Sequence, residues 1–84
     1  MKYAFLDKQD NLLAYGEKIE AAQKAFNFSL DGSILTAKPK GFNKVTFHNY
    51  TKDFSKEEMT NDCVSFLITK AKDLWGITVL KQEN

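Results

Sequence analysis

The sequence contains no arginine, so all twelve of its cationic side chains are lysines. Without guanidinium groups the chain cannot make the planar, bidentate contacts that arginine forms with phosphates, carboxylates or guanine edges. The formal net charge is only +1. Proteins that bind polyanions by charge alone usually carry a larger positive excess. The composition therefore argues against a general polyanion binder.

Cysteine and histidine each occur once, as Cys63 and His48. A single cysteine cannot form an internal disulfide and is typical of a protein in a reducing compartment. One thiol and one imidazole also fall short of the nitrogen and sulfur ligands that a zinc site needs. We therefore predict neither a metal nor a cofactor.

Long apolar runs are also missing. The run that begins at Met1 ends at Asp7, which is too short for a signal peptide, and no stretch approaches the length of a membrane span. We expect a cytoplasmic location and no contact with a membrane. A content of 43% apolar residues nevertheless indicates a folded globule. The length suits one small domain over residues 1–84.

The most strongly patterned stretch of the chain is Phe54 to Leu80. Ser55 and Glu58 have the spacing of a capping box, in which each side chain accepts a hydrogen bond from the other residue's amide. Phe54 and Met59 flank this cap as a hydrophobic staple. The sequence therefore predicts a helix that begins near Ser55.

Apolar residues of this helix recur at spacings of three and four, which places them on one face. They are Met59, Cys63, Phe66, Leu67, Ala71 and Leu74, with Val64, Ile68 and Trp75 widening the face. We expect this face to lie against a sheet and to bury Cys63 as a small apolar residue. Gly76 suits the left-handed residue that ends a helix, and a strand is predicted at 77–80.

The chain before this helix is predicted to form short strands and one further helix. The strands are at 2–6, 12–15, 33–38 and 44–50, the helix is at 17–26, and turns or loops are at 7–11 and 39–43. The helix should turn Ile19, Ala22 and Phe26 inward. Residues 28–30 allow two interpretations, described next.

Asp31 and Gly32 form a two-residue hairpin signal, so residues 28–30 could be a short extra strand. Alternatively, Asn27 caps the preceding helix and Phe28 packs beneath it. We favour the second interpretation slightly, because the first leaves the helix only about two and a half turns long.

This order of elements indicates an α+β domain. We expect a two-layer sandwich in which both helices cover one face of a mainly antiparallel sheet. The βαββαβ arrangement of ferredoxin-like folds is the leading topology, with a possible extra N-terminal hairpin strand. The other face of such a sheet is open to partners.

Residues 40–47 resemble the octamer motif on the third strand of RNA-recognition-motif domains. The positions that fit are Lys40, Gly41, Phe42, Val45 and Phe47. Asn43 replaces a small residue, and Lys44 replaces an aromatic that stacks on a base. On the first strand, either Tyr3 or Phe5 offers the stacking ring of the partner motif. A hairpin loop before a core-alternating strand would give most of these matches as well.

The resemblance implies single-stranded RNA or DNA binding. Base stacking would fall to Tyr3, Phe42, His48 and Tyr50, and phosphate contacts to Lys38, Lys40 and Lys44. This function predicts an affinity that falls steeply with salt, because bound lysines release counterions. We keep it as the alternative function.

Our first prediction is a non-catalytic protein-binding module. The chain has a complete core and no catalytic set, and by analogy its lack of arginine suits an accessory or inhibitor protein of a phage or mobile element. The expected contact surface is the open sheet face with the 38–44 loop. Its predicted contact residues are Tyr3, Lys38, Lys40, Phe42, Lys44, His48 and Tyr50. Exposed aromatic side chains among them would anchor the partner.

An enzyme built on His48 is the third hypothesis, because an imidazole can act as a general acid or base near neutral pH. A single histidine with no carboxylate partner in view is more often a surface or packing residue. A thiolate nucleophile needs exposure and a nearby cation, which the predicted burial of Cys63 opposes. We therefore predict that the chain is not an enzyme.

Overall fold

The computed structural model describes residues 1–48 and 56–82, and for residues 56–59 it describes the backbone alone. Within these residues the chain forms six strands and two helices. They are β1 (Lys2–Leu6), β2 (Leu12–Gly16), α1 (Lys18–Phe26), β3 (Phe28–Asp31), β4 (Ile34–Ala37), β5 (Val45–Phe47), α2 (Lys56–Trp75) and β6 (Thr78–Gln82).

The described strands form two antiparallel sheets of three strands each. The first sheet has the order β2-β1-β6, and the second has the order β3-β4-β5. The prediction of a small α+β domain with antiparallel strands is confirmed. The strand order differs from the single βαββαβ sheet that we expected. The reason is that β2 and β6 occupy both edges of β1, so β1 cannot pair with any strand of the second sheet as the expected topology requires.

Both helices contribute to the core that the two sheets share. Helix α1 lies against β1 and β2, and α2 lies beside α1 and also contacts β6. Aromatic rings connect these layers: the ring centroids of Phe5 and Phe26 are 5.2 Å apart, and those of Phe26 and Trp75 are 5.6 Å apart. On the other side, the rings of Phe47 and Phe66 meet edge to face at 5.0 Å and join β5 to α2.

The inward face of α2 follows the predicted spacing with one exception. Cys63, Leu67 and Ala71 are fully buried. Leu74 is 39% exposed, so its predicted burial is wrong, whereas Trp75 is buried as predicted. Successive steps of four residues rotate the buried stripe toward Trp75 and away from Leu74. The predicted capping box and hydrophobic staple fall on residues 54–59, which lie outside the described side chains.

Gly76 ends α2 in the left-handed conformation, as predicted, with φ +69°. Its amide donates to the carbonyl of Lys72 at 2.9 Å, which satisfies one of the last carbonyls of the helix. A methyl group at this position would overlap the side-chain stem of Lys8. The turn between β1 and β2 is therefore packed directly onto the end of α2.

The two interpretations of residues 28–30 turn out to be compatible. Asn27 takes the left-handed conformation after α1, with φ +48°, and its amide donates to the carbonyl of Gln23 at 2.9 Å. Phe28 is buried, yet it also begins β3 and pairs with Ala37. Our preference for a chain without the extra strand is therefore wrong. A single left-handed residue ends the helix so abruptly that the next residue can start a strand.

Candidate functional site

The outward side of the first sheet carries exposed apolar side chains. Residues that pair directly across antiparallel strands point to the same side of the sheet. Phe5 pairs with Ala14 and Val79, and this set faces the core. Ala4 pairs with Tyr15 and Leu80 on the opposite side. Tyr15 is 51% exposed and Leu80 is 52% exposed.

A β-bulge adds a further leucine to this outward side. The register of β1 with β2 shifts between Phe5 and Leu6, so Leu6 pairs with Leu12 and Leu13 is passed over. Leu13 packs against the core, whereas Leu12 is 61% exposed. Without the extra residue, the two-residue period of the strand would turn Leu12 inward. We refer to Ala4, Leu6, Leu12, Tyr15 and Leu80 together as the apolar face.

Polar groups border the apolar face at the end of the sheet where Lys2 of β1 pairs with Gln82 of β6. The Tyr15 hydroxyl donates to Oε1 of Gln82 at 3.1 Å, which links β2 to β6 across β1. Lys2 pairs with Gln82 on the same side of the sheet, and its Nζ lies 3.1 Å from Oε1 of Glu17. The hydrogen bond and charge of Lys2 lower the pKa of the Glu17 carboxyl. An apolar centre with a polar border is the usual anatomy of a protein interface.

The outward side of the second sheet is different in character. Ser29, Thr36 and Thr46 pair across its three strands and point away from the core. Asp31 and Ile34 pair at the hairpin end of the same side. Ile34 is 39% exposed, so this side carries one exposed large apolar residue among hydroxyl and carboxyl groups, whereas the first sheet carries three.

A cleft lies between the β1–β2 turn and the loop that joins β4 to β5. It encloses about 320 Å³ and is lined on one side by the turn and on the other by the loop. The lining residues are Asp7, Lys8, Gln9, Leu13, Lys40, Gly41 and Phe42. Within the loop, the Phe42 amide donates to the carbonyl of Pro39 at 3.0 Å, and Pro39 is itself fully buried.

The structure separates the residues that we predicted as one contact surface. Lys38, Lys40, Lys44 and His48 are exposed, and Phe42 is half-buried at the cleft. Tyr3 is only 7% exposed, so its expected place on an open face is wrong. It alternates in β1 with the outward Ala4 and therefore shares the core side with Phe5, whose ring centroid is 6.4 Å away. Tyr50 lies outside the described residues.

Cys63 and His48 occupy different environments. Cys63 is fully buried in α2, as predicted, and His48 is exposed in the turn that follows β5. Among the side chains that the structure describes, no three of His, Cys, Asp or Glu come together in a way that could hold a metal ion. The described part of the chain contains no helix long and apolar enough to cross a bilayer.

Comparisons with protein-family models, curated proteins and solved structures found no match. The resemblance of residues 40–47 to the RNA-recognition octamer therefore stands on the motif alone. The two strands that the resemblance needs side by side are also in different sheets, because Tyr3 lies in β1 and Val45 lies in β5. Tyr3 and Phe42 consequently do not form one stacking surface.

The sequence reasoning missed the apolar face. The sequence did contain part of the pattern that indicates this face. In β1, Lys2, Ala4 and Leu6 alternate with the aromatic residues Tyr3 and Phe5. Assigning the two rings to the core would have turned Ala4 and Leu6 outward. The outward position of Leu12 could not be read in this way, because it depends on the bulge.

Proposed function

We propose that this chain is a non-catalytic protein-binding module whose main contact surface is the apolar face. The observation that carries the proposal is the joint exposure of Leu12, Tyr15 and Leu80 by more than half on one side of one sheet. Contiguous apolar patches on small soluble proteins commonly mark sites of protein association. Covering such a patch removes apolar area from water, which contributes about 25 cal/mol per Å².

Tyr15 is the expected central anchor of the contact. Its ring is available to a partner, while its hydroxyl is held by Gln82 at 3.1 Å. Tyrosine is enriched among the residues that dominate binding energy, because a rigid ring offers a large contact area at a low entropic cost. A ring held in place before binding loses still less freedom when the partner arrives.

In this proposal the protein acts by occupying a surface of its partner. This mode of action fits the small accessory or inhibitor proteins of phages and mobile elements that the composition suggested. Two features support it: no described cluster offers metal chemistry, and the sole cysteine is buried. Identification of a captured partner whose activity falls on binding would establish the inhibitory part of the proposal.

Single-stranded nucleic-acid binding is the second candidate, because Lys38, Lys40 and Lys44 are all exposed around the half-buried Phe42. Binding of this kind would weaken steeply with rising salt, since each lysine–phosphate contact releases a counterion. Binding through the apolar face would depend only weakly on salt.

The proposal is tested by affinity capture from a lysate of the source cells, with and without nuclease treatment. We expect the wild-type chain to retain a protein partner after nuclease. The Leu12→Ser/Tyr15→Ser/Leu80→Ser variant should lose at least about tenfold in affinity, because each anchor contributes of the order of 1 kcal/mol or more.

The matched control carries Ser29→Ala and Thr46→Ala on the outward side of the second sheet, and it should capture the partner as the wild type does. Thermal unfolding of all three proteins verifies that each one is folded. Undiminished capture by the triple variant would refute the apolar face as the contact surface. Capture that disappears on nuclease treatment would favour the nucleic-acid alternative.

A further inference from the structure

We infer that the cleft between the β1–β2 turn and the β4–β5 loop binds a carboxylate side chain on an extended acidic segment of the protein partner. Lys8 and Lys40 would hold the carboxylate, and Leu13 and Phe42 would contact an apolar neighbour of that residue. The inference rests on the proposed function and adds to it the chemistry of the partner.

The size and lining of the cleft fit a peptide side chain. Its volume of about 320 Å³ is at the lower end of the range for ligand sites, roughly 300–1,000 Å³. Each wall contributes one lysine and one apolar side chain: Lys8 and Leu13 from the turn side, Lys40 and Phe42 from the loop side. A cationic pair beside an apolar surface matches an acidic residue next to an aliphatic one.

The charge around the cleft is positive, because Lys8, Lys38, Lys40 and Lys44 outnumber the one carboxylate in its lining. Asp7 also lines the cleft, but its Oδ1 accepts hydrogen bonds from the amides of Gln9 at 2.9 Å and Asn11 at 2.8 Å. Its Oδ2 accepts from the Asn11 side chain at 3.2 Å, and these bonds, led by the backbone bond from Asn11, lower the pKa of the Asp7 carboxyl. Asp7 is thus committed to its own turn.

The lysines of the cleft have no charged partner among the described residues. Neither Lys8 nor Lys40 forms an ion pair with the described residues, whereas Lys2 and the amino terminus both pair with Glu17. Lys38 and Lys44 are exposed on the same loop and extend the positive charge. An acidic segment would supply the missing negative charge and would be steered toward the cleft by the field of these lysines.

Both walls are in contact with the rest of the fold. The stem of Lys8 lies over Gly76 at the end of α2. The loop is held by the Lys38 amide, which donates to the Phe26 carbonyl at 2.9 Å, and by the bond from Phe42 to Pro39 at 3.0 Å. A preformed site loses less conformational freedom on binding than a flexible loop would.

The bulge connects the cleft to the apolar face. Leu12 belongs to the apolar face and Leu13 lines the cleft, so consecutive residues serve the two surfaces. One partner can therefore cover the apolar face and extend an acidic segment around the β1–β2 turn. A peptide fits this site better than a nucleic acid, because stacking needs exposed ring faces and the ring that lines the cleft is half-buried.

The test is an amide chemical-shift titration of the full-length, isotope-labelled chain. The probe is the synthetic peptide acetyl-Gly-Glu-Leu-Glu-Leu-Gly-amide, and the matched probe has both glutamates replaced by glutamine. We expect the glutamate peptide to shift the amides of Gln9, Leu13, Gly41 and Phe42 in a saturable manner. The glutamine peptide should bind at least about tenfold more weakly, because it lacks the charge that the lysines recognise.

Variants complete the test. Lys8→Gln/Lys40→Gln should weaken binding of the glutamate peptide at least about tenfold. Lys24→Gln, in the last turn of α1, removes one positive charge outside the cleft lining and should leave binding of the glutamate peptide unchanged. The inference is overturned if the cleft amides do not move at millimolar peptide, if the two peptides bind equally well, or if the double variant binds as the wild type does.

Nucleic-acid binding at the cleft is a separate outcome that also overturns the inference. It would appear as shifts of the same amides with an oligothymidylate of eight nucleotides at a lower concentration than the glutamate peptide requires. Failure of the cleft is distinguishable from failure of the apolar face. The Leu12→Ser/Tyr15→Ser/Leu80→Ser variant should still bind the peptide, whereas Lys8→Gln/Lys40→Gln should still capture the partner through the apolar face, with reduced affinity.

Discussion

The two described sheets have the same construction, but the side chains on their outward sides differ in polarity. Each consists of three antiparallel strands and contributes large apolar side chains to one common core. The first sheet also exposes Leu12, Tyr15 and Leu80 by more than half on its other side, whereas the second exposes the hydroxyls of Ser29 and Thr46 and only one large apolar residue, Ile34 at 39%. Folding requires only the inward sides. The outward apolar residues of the first sheet therefore point to contact with another molecule.

The largest expected difference is in the free energy of unfolding, between variants of one leucine from each sheet. Leu35 in β4 is fully buried, and Leu12 in β2 is 61% exposed. Truncating Leu35 to alanine should reduce the free energy of unfolding by about 2–4 kcal/mol, because a cavity remains in the core. Leu12→Ala should change it by no more than about 0.5 kcal/mol. Urea unfolding followed by circular dichroism measures both values.

A milder variant, Leu35→Val, keeps this comparison measurable if Leu35→Ala does not fold. The prediction would be contradicted if Leu12→Ala reduced the free energy of unfolding as much as the substitution of Leu35 in β4 does. That outcome would mean that Leu12 is part of the folded core, and the apolar face would then have no need of a partner.

A smaller difference in stability is expected between variants in the hairpin turns of the two sheets. The turn of the second sheet contains Gly32 with φ +61°, and a methyl group added there meets no atom within 4 Å. Gly32→Ala should therefore cost about 1–2 kcal/mol, which is the conformational penalty of a left-handed non-glycine residue. In the first sheet, Asp10 already has φ +64°.

The reciprocal variant, Asp10→Gly, should relieve the strain at this position and leave the stability unchanged within about 1 kcal/mol, since glycine also gains entropy in the unfolded chain. Thermal melts at one pH compare the two variants. Equal destabilisation by both would show that backbone conformation does not distinguish the turns.

The smallest effect is a difference in acid sensitivity between these turns. Hydrogen bonds from Asn11 and Gln9 hold the pKa of the Asp7 carboxyl below its ordinary value of 3.8. A group with a lowered pKa stabilises the fold above its unfolded pKa, and the contribution is lost as the pH falls through the folded pKa. Asp7→Asn should therefore be less stable than wild type at neutral pH, with a gap that narrows in acid below pH 3.8.

Gly32→Ala serves as the control for this titration, because its cost does not involve an ionisable group at the site of substitution. Its difference from wild type should stay constant over the same pH range. A gap for Asp7→Asn that does not change with pH would contradict the hydrogen-bonded turn.

Local patterns predicted the separate elements well because their causes are local. The two-residue alternation of β1, the inward face of α1 and the left-handed Gly76 are each determined by a few neighbouring residues. The burial of Cys63 followed from the helical period in the same way. For such features the sequence alone was sufficient.

The features that create the candidate site depend on pairing between distant residues. The separation into two sheets follows from β6 pairing with β1 across most of the chain, and no local pattern encodes that choice. The outward position of Leu12 results from one passed-over residue in the pairing of β2 with β1. This is why the apolar face was not anticipated, whereas the burial of Tyr3 follows from the local alternation of β1 and was missed.

The most direct test of the contrast between the sheets is amide hydrogen exchange of the chain alone and in complex with its captured partner. We predict slower exchange in β2 and β6, the edge strands of the first sheet, and unchanged exchange in β3, whose position at the edge of the second sheet is equivalent. Equal protection of β3, or no change in β2 and β6, would contradict the assignment of binding to the apolar face.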